Sequence, residues 1–176
     1  MEKVFISYAW AIWCWKSPIT NYISTKLWLS IFNTDSVRSE ICEDFLKFDE
    51  DEAQKRIKER LSNIIQNGVS FIYDASVDRI RKNLIKDILI KNNYRYFIIS
   101  IDLDKKTLVD FYKAKWYNES MKRIDEVYED HQNFLKNFSN DINMHINETN
   151  YQDRLENVYK VVNQWIKKIE MEKDIK

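Results

Sequence analysis

Two adjacent residues near the amino terminus, Lys16 and Ser17, have the types and the position needed to bind a phosphate group. They follow a short apolar stretch, Val4 to Ser7, which predicts a buried strand, and they open a pattern of apolar residues at helical spacing. Strand, loop, Lys-Ser and helix is the order of the phosphate-binding loop, or Walker A motif, whose pattern is G-x-x-x-x-G-K-[ST]. The chemistry indicated is therefore binding of a phosphate group.

Tryptophan occupies both positions at which this pattern requires glycine. These residues are Trp10 and Trp15, and Trp13 stands at a third position where such loops often carry glycine. Glycine is needed because backbone N–H groups must turn inward around the phosphate, and an indole would fill that space. Cys14, inside the loop, is interpreted as a small filler and not as a nucleophile. The candidate nucleotide-binding residues of the loop are thus Trp10, Trp13, Cys14, Trp15, Lys16 and Ser17.

The whole chain is poor in glycine and rich in tryptophan. It contains one Gly and six Trp, whereas average usage would give roughly twelve glycines at this length. Trp28 and Trp116 also stand where turns or loops are expected, whereas Trp165 lies on an apolar helical face. One explanation is that UGA codons read as glycine by the host were translated as tryptophan. The alternative is that the tryptophans are real and form an aromatic surface or a degenerate site.

Predicted strands and helices alternate along the chain. The predicted strands are Val4–Ser7, Leu29–Phe32, Val69–Tyr73, Tyr96–Ile101 and Ile142–Ile146. Helices with both bounds predicted cover 16–27, 50–67, 105–115, 119–137 and 151–172, and Gly68 ends the second of them. Two further helices are predicted by their starts, one capped by Thr34 or Asp35 and one beginning at residue 77. This alternation predicts an α/β fold, with a five-stranded parallel sheet, Val4–Ser7 in its centre and helices on both faces.

Polar residues follow three of the predicted strands. Lys16 and Ser17 follow the first, Asp35 and Arg38 the second, and Asp74 the third. The carboxyl ends of parallel strands share one edge, where ligands of such sheets bind, so we expect these five residues to face one cleft. Simpler interpretations exist for three of them, because either aspartate can be a helix cap and Arg38 can be a solvated helix residue.

Composition limits the class of protein. Lys and Arg together number 28, as do Asp and Glu, so the net charge is zero and argues against strong nonspecific nucleic-acid binding. A chain of 176 residues predicts a single domain over 1–176. Two cysteines do not make a disulfide framework, and His131 and His145 have no ligand-type spacing, so no zinc site is expected. The absence of a signal peptide and of a membrane-spanning stretch predicts a cytoplasmic protein; the oligomeric state is not indicated.

From about residue 3 to 135 the chain resembles the P-loop kinases of the polynucleotide-kinase and zeta-toxin-like branch, with AAA-type ATP binding. The segments that match are the loop at 10–17, the T-D-x-x-R segment at 34–38 and the strand end at 71–76. The resemblance implies a P-loop NTPase fold that uses ATP and Mg²⁺. It implies that Lys16 holds the β- and γ-phosphates and that Ser17 holds Mg²⁺.

The same resemblance implies roles for residues after the other strands. Asp35 would accept a proton from the acceptor hydroxyl, Arg38 would bind the acceptor, and Asp74 would lie near the metal. The family's lid corresponds to about 113–123, where Lys113, Lys115 and Arg123 are the basic candidates. Lysine lacks the bidentate fork of the arginines usual in that lid, and the two lysines can equally form a solvated face.

The function predicted is transfer of the ATP γ-phosphoryl group to a hydroxyl. The acceptor is a nucleic-acid end, a nucleoside-like compound or another small molecule, and zero net charge favours a small one. The alternative is a degenerate P-loop module that does not bind ATP and acts as an interaction protein. A nucleotide-dependent switch or hydrolase is disfavoured by the D-x-x-R segment, which is typical of an acceptor site.

Overall fold

The computed structural model describes residues 2–9, 16–76, 81–114 and 124–174. In this part of the chain strands and helices alternate. The strands are β1 (Lys3–Ala9), β2 (Ser30–Phe32), β3 (Phe71–Ser76), β4 (Tyr94–Ile101) and β5 (Met144–Ile146). The helices are α1 (Lys16–Leu27), α2 (Thr34–Phe45), α3 (Glu50–Gln66), α4 (Arg81–Lys91), α5 (Lys105–Ala114), α6 (Ile124–Phe138) and α7 (Arg154–Asp174), and a short 3₁₀ helix covers Ser139–Asp141.

The five strands form one sheet in the order β2-β3-β1-β4-β5. All of its strand pairs are parallel, and β1 lies in the centre between β3 and β4. Because the strands are parallel, the loops that follow β1, β2 and β3 leave from the same edge. β3 lies between the other two, so a residue at its carboxyl end is next to both neighbouring loops.

Side chains of β1 alternate between two buried cores, one on each face of the sheet. Val4, Ile6 and Tyr8 pack with residues of α1, α5 and α7, whereas Phe5 and Ala9 pack with residues of α2, α3 and α4. Helix α6 contributes to both cores, because Ile124 and Val127 pack in the core that contains Tyr8 and Phe134 packs in the core that contains Phe5. The predicted five-stranded parallel sheet with helices on both faces is therefore confirmed.

Element boundaries follow the prediction closely, with two exceptions that affect the site. Strand β3 extends to Ser76, so Asp74 lies inside the strand and not after it. Helix α2 is capped by Asn33, and the predicted cap at Thr34 or Asp35 is wrong. Asn33 adopts the extended backbone of a cap, and its side chain accepts the N–H groups of Asp35 and Ser36, which places both predicted caps inside the helix. None of the described helices is long and apolar enough to cross a membrane.

Trp28 ends helix α1 in the left-handed conformation. Its φ is 55°, and its side chain is 94% exposed. The Leu29 N–H donates to the Ser24 carbonyl at 3.3 Å, which is the closing bond of a Schellman motif, where glycine is the usual residue. The prediction that Trp28 occupies a turn position suited to glycine is thus confirmed. Trp165, in contrast, packs against Phe97 with ring centroids 5.2 Å apart.

We expect Trp28→Gly to raise the free energy of unfolding by about 1 kcal/mol, since a left-handed L-residue costs roughly 1–2 kcal/mol and the exposed indole contributes little packing. Urea unfolding measures this change. Leu46→Gly is the matched control, because Leu46 has a φ of 54° and is 92% exposed. Trp165→Gly should instead destabilise the protein by about 3 kcal/mol or more, through lost packing and a helical glycine. Equal losses of unfolding free energy in Trp28→Gly and Trp165→Gly would contradict the distinction between a tryptophan at a turn and a tryptophan packed against the core.

Candidate active site

Asp74 is the centre of a hydrogen-bonded cluster at the carboxyl edge of the sheet. It is 8% exposed, and both of its carboxylate oxygens accept hydrogen bonds from helix α1. The Ser17 hydroxyl donates to Oδ2 at 3.2 Å, and the Thr20 hydroxyl donates to Oδ1 at 3.0 Å. Ser17 and Thr20 are three residues apart, so they share one face of the helix. The start of α1 is therefore held against the end of β3.

Behind this cluster, buried hydroxyl groups connect β1 to its neighbours. The Tyr8 hydroxyl lies 2.8 Å from the Thr20 hydroxyl and is fully buried, and this burial raises the pKa of Tyr8, which keeps the phenol neutral. The Ser7 hydroxyl lies within bonding distance of the Tyr73 and Ala75 carbonyl oxygens of β3, at 3.2 and 2.8 Å. Sequence reasoning missed Tyr8 and Thr20; the position of Thr20, one turn after Ser17, was the available signal.

Asn33 connects Asp74 to the second helix of the site. Its side-chain amide donates to Asp74 Oδ2 at 3.3 Å, while its Oδ1 accepts the N–H of Asp35 at 2.8 Å and of Ser36 at 3.3 Å. Asp35 is exposed in the first turn of α2. Asp35, the predicted base, therefore lies on a helical turn that Asn33 links by hydrogen bonds to Asp74.

Arg38 is paired with the first residue of helix α3. Its guanidinium donates two hydrogen bonds to the Glu50 carboxylate, at 2.6 and 2.9 Å, and lies over the Phe48 ring at 5.6 Å from its centroid. This bidentate pair stabilises the connection between α2 and α3. An acceptor that uses Arg38 would have to share or replace Glu50, and the acceptor-binding role of Arg38 stays a prediction.

The structure describes some of the predicted site residues and not others. Lys16 is the first residue of α1 and is half-buried, and Lys113 is exposed in the last turn of α5. Ser17 and Asp74 are in contact, as expected from their strand ends. The predicted residues outside the described part of the chain are Trp10, Trp13, Cys14, Trp15, Lys115 and Arg123. The chemical roles of all these residues stay predictions.

The oxygen groups around Asp74 suit Mg²⁺. A carboxylate and a hydroxyl are the hard donors that Mg²⁺ prefers, and Mg²⁺ is usually held by one or two carboxylates together with substrate phosphates. The contacts of Asp74 within the described residues come from hydroxyl and amide groups, and not from lysine, arginine or histidine. The described residues contain no group of three or more His, Cys, Asp or Glu that could hold a metal ion.

The two histidines, far apart in sequence, meet at one carboxylate. His131 Nε2 lies 2.9 Å from Asp102 Oδ1, and His145 Nδ1 bonds to Oδ2, while the Ser100 hydroxyl donates to Oδ1. Burial opposes ionisation of Asp102, but these hydrogen bonds outweigh it and hold the pKa of Asp102 below its usual value. The cluster ties α6 and β5 to the end of β4. Separation along the sequence did not indicate this proximity.

Comparisons with known proteins agree with the architecture. No protein-family model matches the chain, and no curated protein matches its sequence. Among solved structures, a protein of Chloroflexus aurantiacus described as a kinase is 11% identical with a TM-score of 0.67, covering 94% of this chain and 97% of that one. Shikimate kinase of Aquifex aeolicus is 12% identical with a TM-score of 0.58, over 91% and 96% of the two chains.

A third similar structure is deoxyadenosine kinase of M. mycoides with bound dCTP. It is 18% identical with a TM-score of 0.58, and the likeness covers 91% of this chain and 99% of that chain. At sequence identities this low, the structural likeness establishes a shared fold and nothing more. The fold is that of the P-loop kinases, a class of P-loop NTPases.

Proposed function

We propose that this protein is an ATP·Mg²⁺-dependent phosphotransferase of the P-loop kinase class. The observation that carries the proposal is the contact between the Ser17 hydroxyl and the Asp74 carboxylate, at the start of the helix that Lys16 begins. A lysine, a hydroxyl and an acidic group at one sheet edge are the side chains that P-loop enzymes use around phosphates and Mg²⁺. Ser17 and Asp74 would hold Mg²⁺, which would neutralise the negative charge on the phosphates during transfer.

The residues on α2 supply the acceptor side of the reaction. Asp35 accepts the proton of the acceptor hydroxyl, whose oxygen forms a bond to the γ-phosphorus of ATP. The bond from that phosphorus to the β–γ bridging oxygen breaks, and this oxygen leaves on the β-phosphate of ADP. Arg38 orients the acceptor, and Lys113, Lys115 and Arg123 are the lid candidates that would cover the transferring group. This assignment corresponds to the polynucleotide-kinase and zeta-toxin-like branch, which the T-D-x-x-R segment resembles.

A small acceptor is favoured over a nucleic-acid end. The net charge of the chain is zero, whereas binding to nucleic acid usually relies on excess positive charge. Two of the similar structures are shikimate kinase and deoxyadenosine kinase, whose names indicate small hydroxyl-bearing acceptors. The acceptor class proposed is therefore a nucleoside-like or other small molecule with a free hydroxyl.

Catalysis is proposed on the condition that Trp10, Trp13 and Trp15 are glycine in the native protein. Trp28 is compatible with this condition, because it combines a positive φ with an almost fully exposed indole at a helix end, although Leu46 shows the same combination of positive φ and exposure. UGA codons at positions 10, 13, 15, 28 and 116, with UGG at 165, are the expected gene sequence. If the loop tryptophans are real, the function favoured is that of a degenerate P-loop module that acts by interaction.

Phosphoryl transfer tests the proposal directly. The full chain with glycine at 10, 13 and 15 is incubated with Mg²⁺, [γ-³²P]ATP and a panel of nucleosides, hydroxy acids and 5′-hydroxyl oligonucleotides. We expect a labelled small-molecule product and ADP, and no product from the Lys16→Ala form of the same chain. Labelling only of the oligonucleotides would correct the acceptor class. A failure to bind ATP at all, with the chain folded, would favour the interaction module.

A further inference from the structure

The side chain of Asn33 uses both ends of its amide at the junction between the two halves of the site. Its oxygen accepts two N–H groups from the first turn of α2, and its nitrogen donates to Asp74 Oδ2. The amide orientation follows from these partners, since backbone N–H groups require an acceptor and a carboxylate requires a donor. One residue therefore caps a helix and holds the central carboxylate at the same time.

Capping alone does not require asparagine. Ser and Asp cap helices about as well as Asn, because each offers an oxygen to the first-turn N–H groups. Aspartate at position 33 would place a second carboxylate against Asp74, and the serine hydroxyl is too short to span the same pair of partners. Helix α3 shows the simpler case, because among the described residues the side chain of its cap, Asp49, accepts the Glu52 N–H alone, at 3.1 Å. The additional bond to Asp74 is what distinguishes Asn33.

The oxygen that Asn33 contacts is also the one that Ser17 contacts. Asp74 Oδ2 accepts from Ser17 at 3.2 Å and from Asn33 at 3.3 Å. The first contact belongs to α1, which begins at Lys16, and the second belongs to the turn that carries Asp35. A change in the charge or the ligands of this oxygen should therefore affect the first turns of both α1 and α2.

We propose that Asn33 is a positioning residue that sets the Asp35 turn relative to the Ser17–Asp74 pair through its bond to Asp74. The role in transfer rests on the proposed function, whereas the coupling between Asp74 and the α2 turn does not. Asn33 acts through Asp74 and Asp35 and needs no contact with the reacting atoms. Loss of the bond leaves α2 folded but lets its first turn take several positions relative to the phosphates.

Nuclear magnetic resonance tests the coupling without any activity. In the full chain, Asp74→Asn should shift the backbone amide resonances of Asp35 and Ser36. In the Asn33→Ser background the same change should shift them much less, because the cap remains but the amide bridge is gone. The Glu52 amide, capped by Asp49, should move in neither background. Equal shifts at residues 35 and 36 in both backgrounds would overturn the proposed coupling.

Kinetics test the positioning role in the chain with the glycine loop. Asn33→Ser should lower kcat by about tenfold to 100-fold, as expected for misplaced groups, while KM for ATP and the unfolding midpoint stay close to those of the parent. Asp49→Ser, the corresponding change at the α3 cap, should leave kcat unchanged. Unaltered kcat in Asn33→Ser would overturn the positioning role. Absence of transfer by the parent would refute the proposed function and this role in transfer with it, and the resonance shifts would still decide the coupling.

Discussion

Replacing Trp10, Trp13 and Trp15 together by glycine should convert a chain that binds ATP·Mg²⁺ poorly into one that binds it well. The reason is that an inward-turned backbone donates charge-assisted hydrogen bonds to phosphate oxygens, and three indoles in the loop prevent this approach. Two such bonds, at about 1.5–3 kcal/mol each, correspond to a gain in affinity of about 100-fold or more. Isothermal titration of both proteins with ATP and Mg²⁺ measures the difference.

The control for this experiment is Trp28→Gly, which makes the same chemical change at the opposite end of α1. It should leave ATP affinity as it is in the chain with the loop tryptophans. The sheet should survive in all of these proteins, because β1 is buried between β3 and β4 independently of the loop. If the glycine loop binds no ATP, the phosphate-loop interpretation of residues 10–17 is wrong. UGG codons at 10 and 15, or a native mass that requires tryptophan there, would end the recoding hypothesis.

In the chain with the glycine loop, Asp35→Asn should remove phosphoryl transfer and spare ATP binding. Asparagine keeps the shape of the side chain but cannot accept the acceptor proton, and loss of a general base typically lowers kcat by about 100-fold to 10,000-fold. Lys16→Ala should instead lower both ATP affinity and transfer, since the lysine contacts the phosphates. Titration with ATP and measurement of kcat separate the two effects.

Asp51→Asn is the matched control for Asp35→Asn. Both aspartates are the second residue of a helix that begins just after a side-chain cap, and both are exposed. The two changes should therefore perturb the helix dipole and stability to a similar, small extent, while only the change at Asp35 affects transfer. Equal losses of ATP affinity in Asp35→Asn and Lys16→Ala would contradict the proposed division between acceptor and nucleotide sites.

The fold could be predicted from the sequence because its signals are local. Continuous apolar runs predicted the buried strands, and helical periodicity over 16–27 and 50–67 agrees with α1 and α3 nearly to the residue. Gly68, with a φ of 68°, ends α3 as expected. Alternation of strands and helices leaves few arrangements other than a parallel sheet with helices on both faces. The amino-acid sequence alone was therefore sufficient to predict the fold.

For the site, the sequence predicted which residues lie near one another at the sheet edge but not their hydrogen-bond partners. Strand ends of a parallel sheet share an edge, so the proximity of Ser17 and Asp74 followed from topology. The bond of Thr20 to Asp74 joins residues 54 positions apart, and that of Asn33 to Asp74 joins residues 41 positions apart. Such pairings depend on sheet order and on side-chain direction, which no local pattern specifies. Asn33 was overlooked because Thr34 and Asp35 are equally good caps by residue type.

The sequence by itself determined the α/β architecture, the central position of β1 and the edge of the sheet at which polar residues gather. Tertiary structure alone decided that Arg38 pairs with Glu50 and that His131 and His145 share Asp102. The physical reason is range: backbone preference and apolar periodicity act within a few residues, whereas hydrogen-bond partners are selected only after the strands have taken their order and the helices have packed.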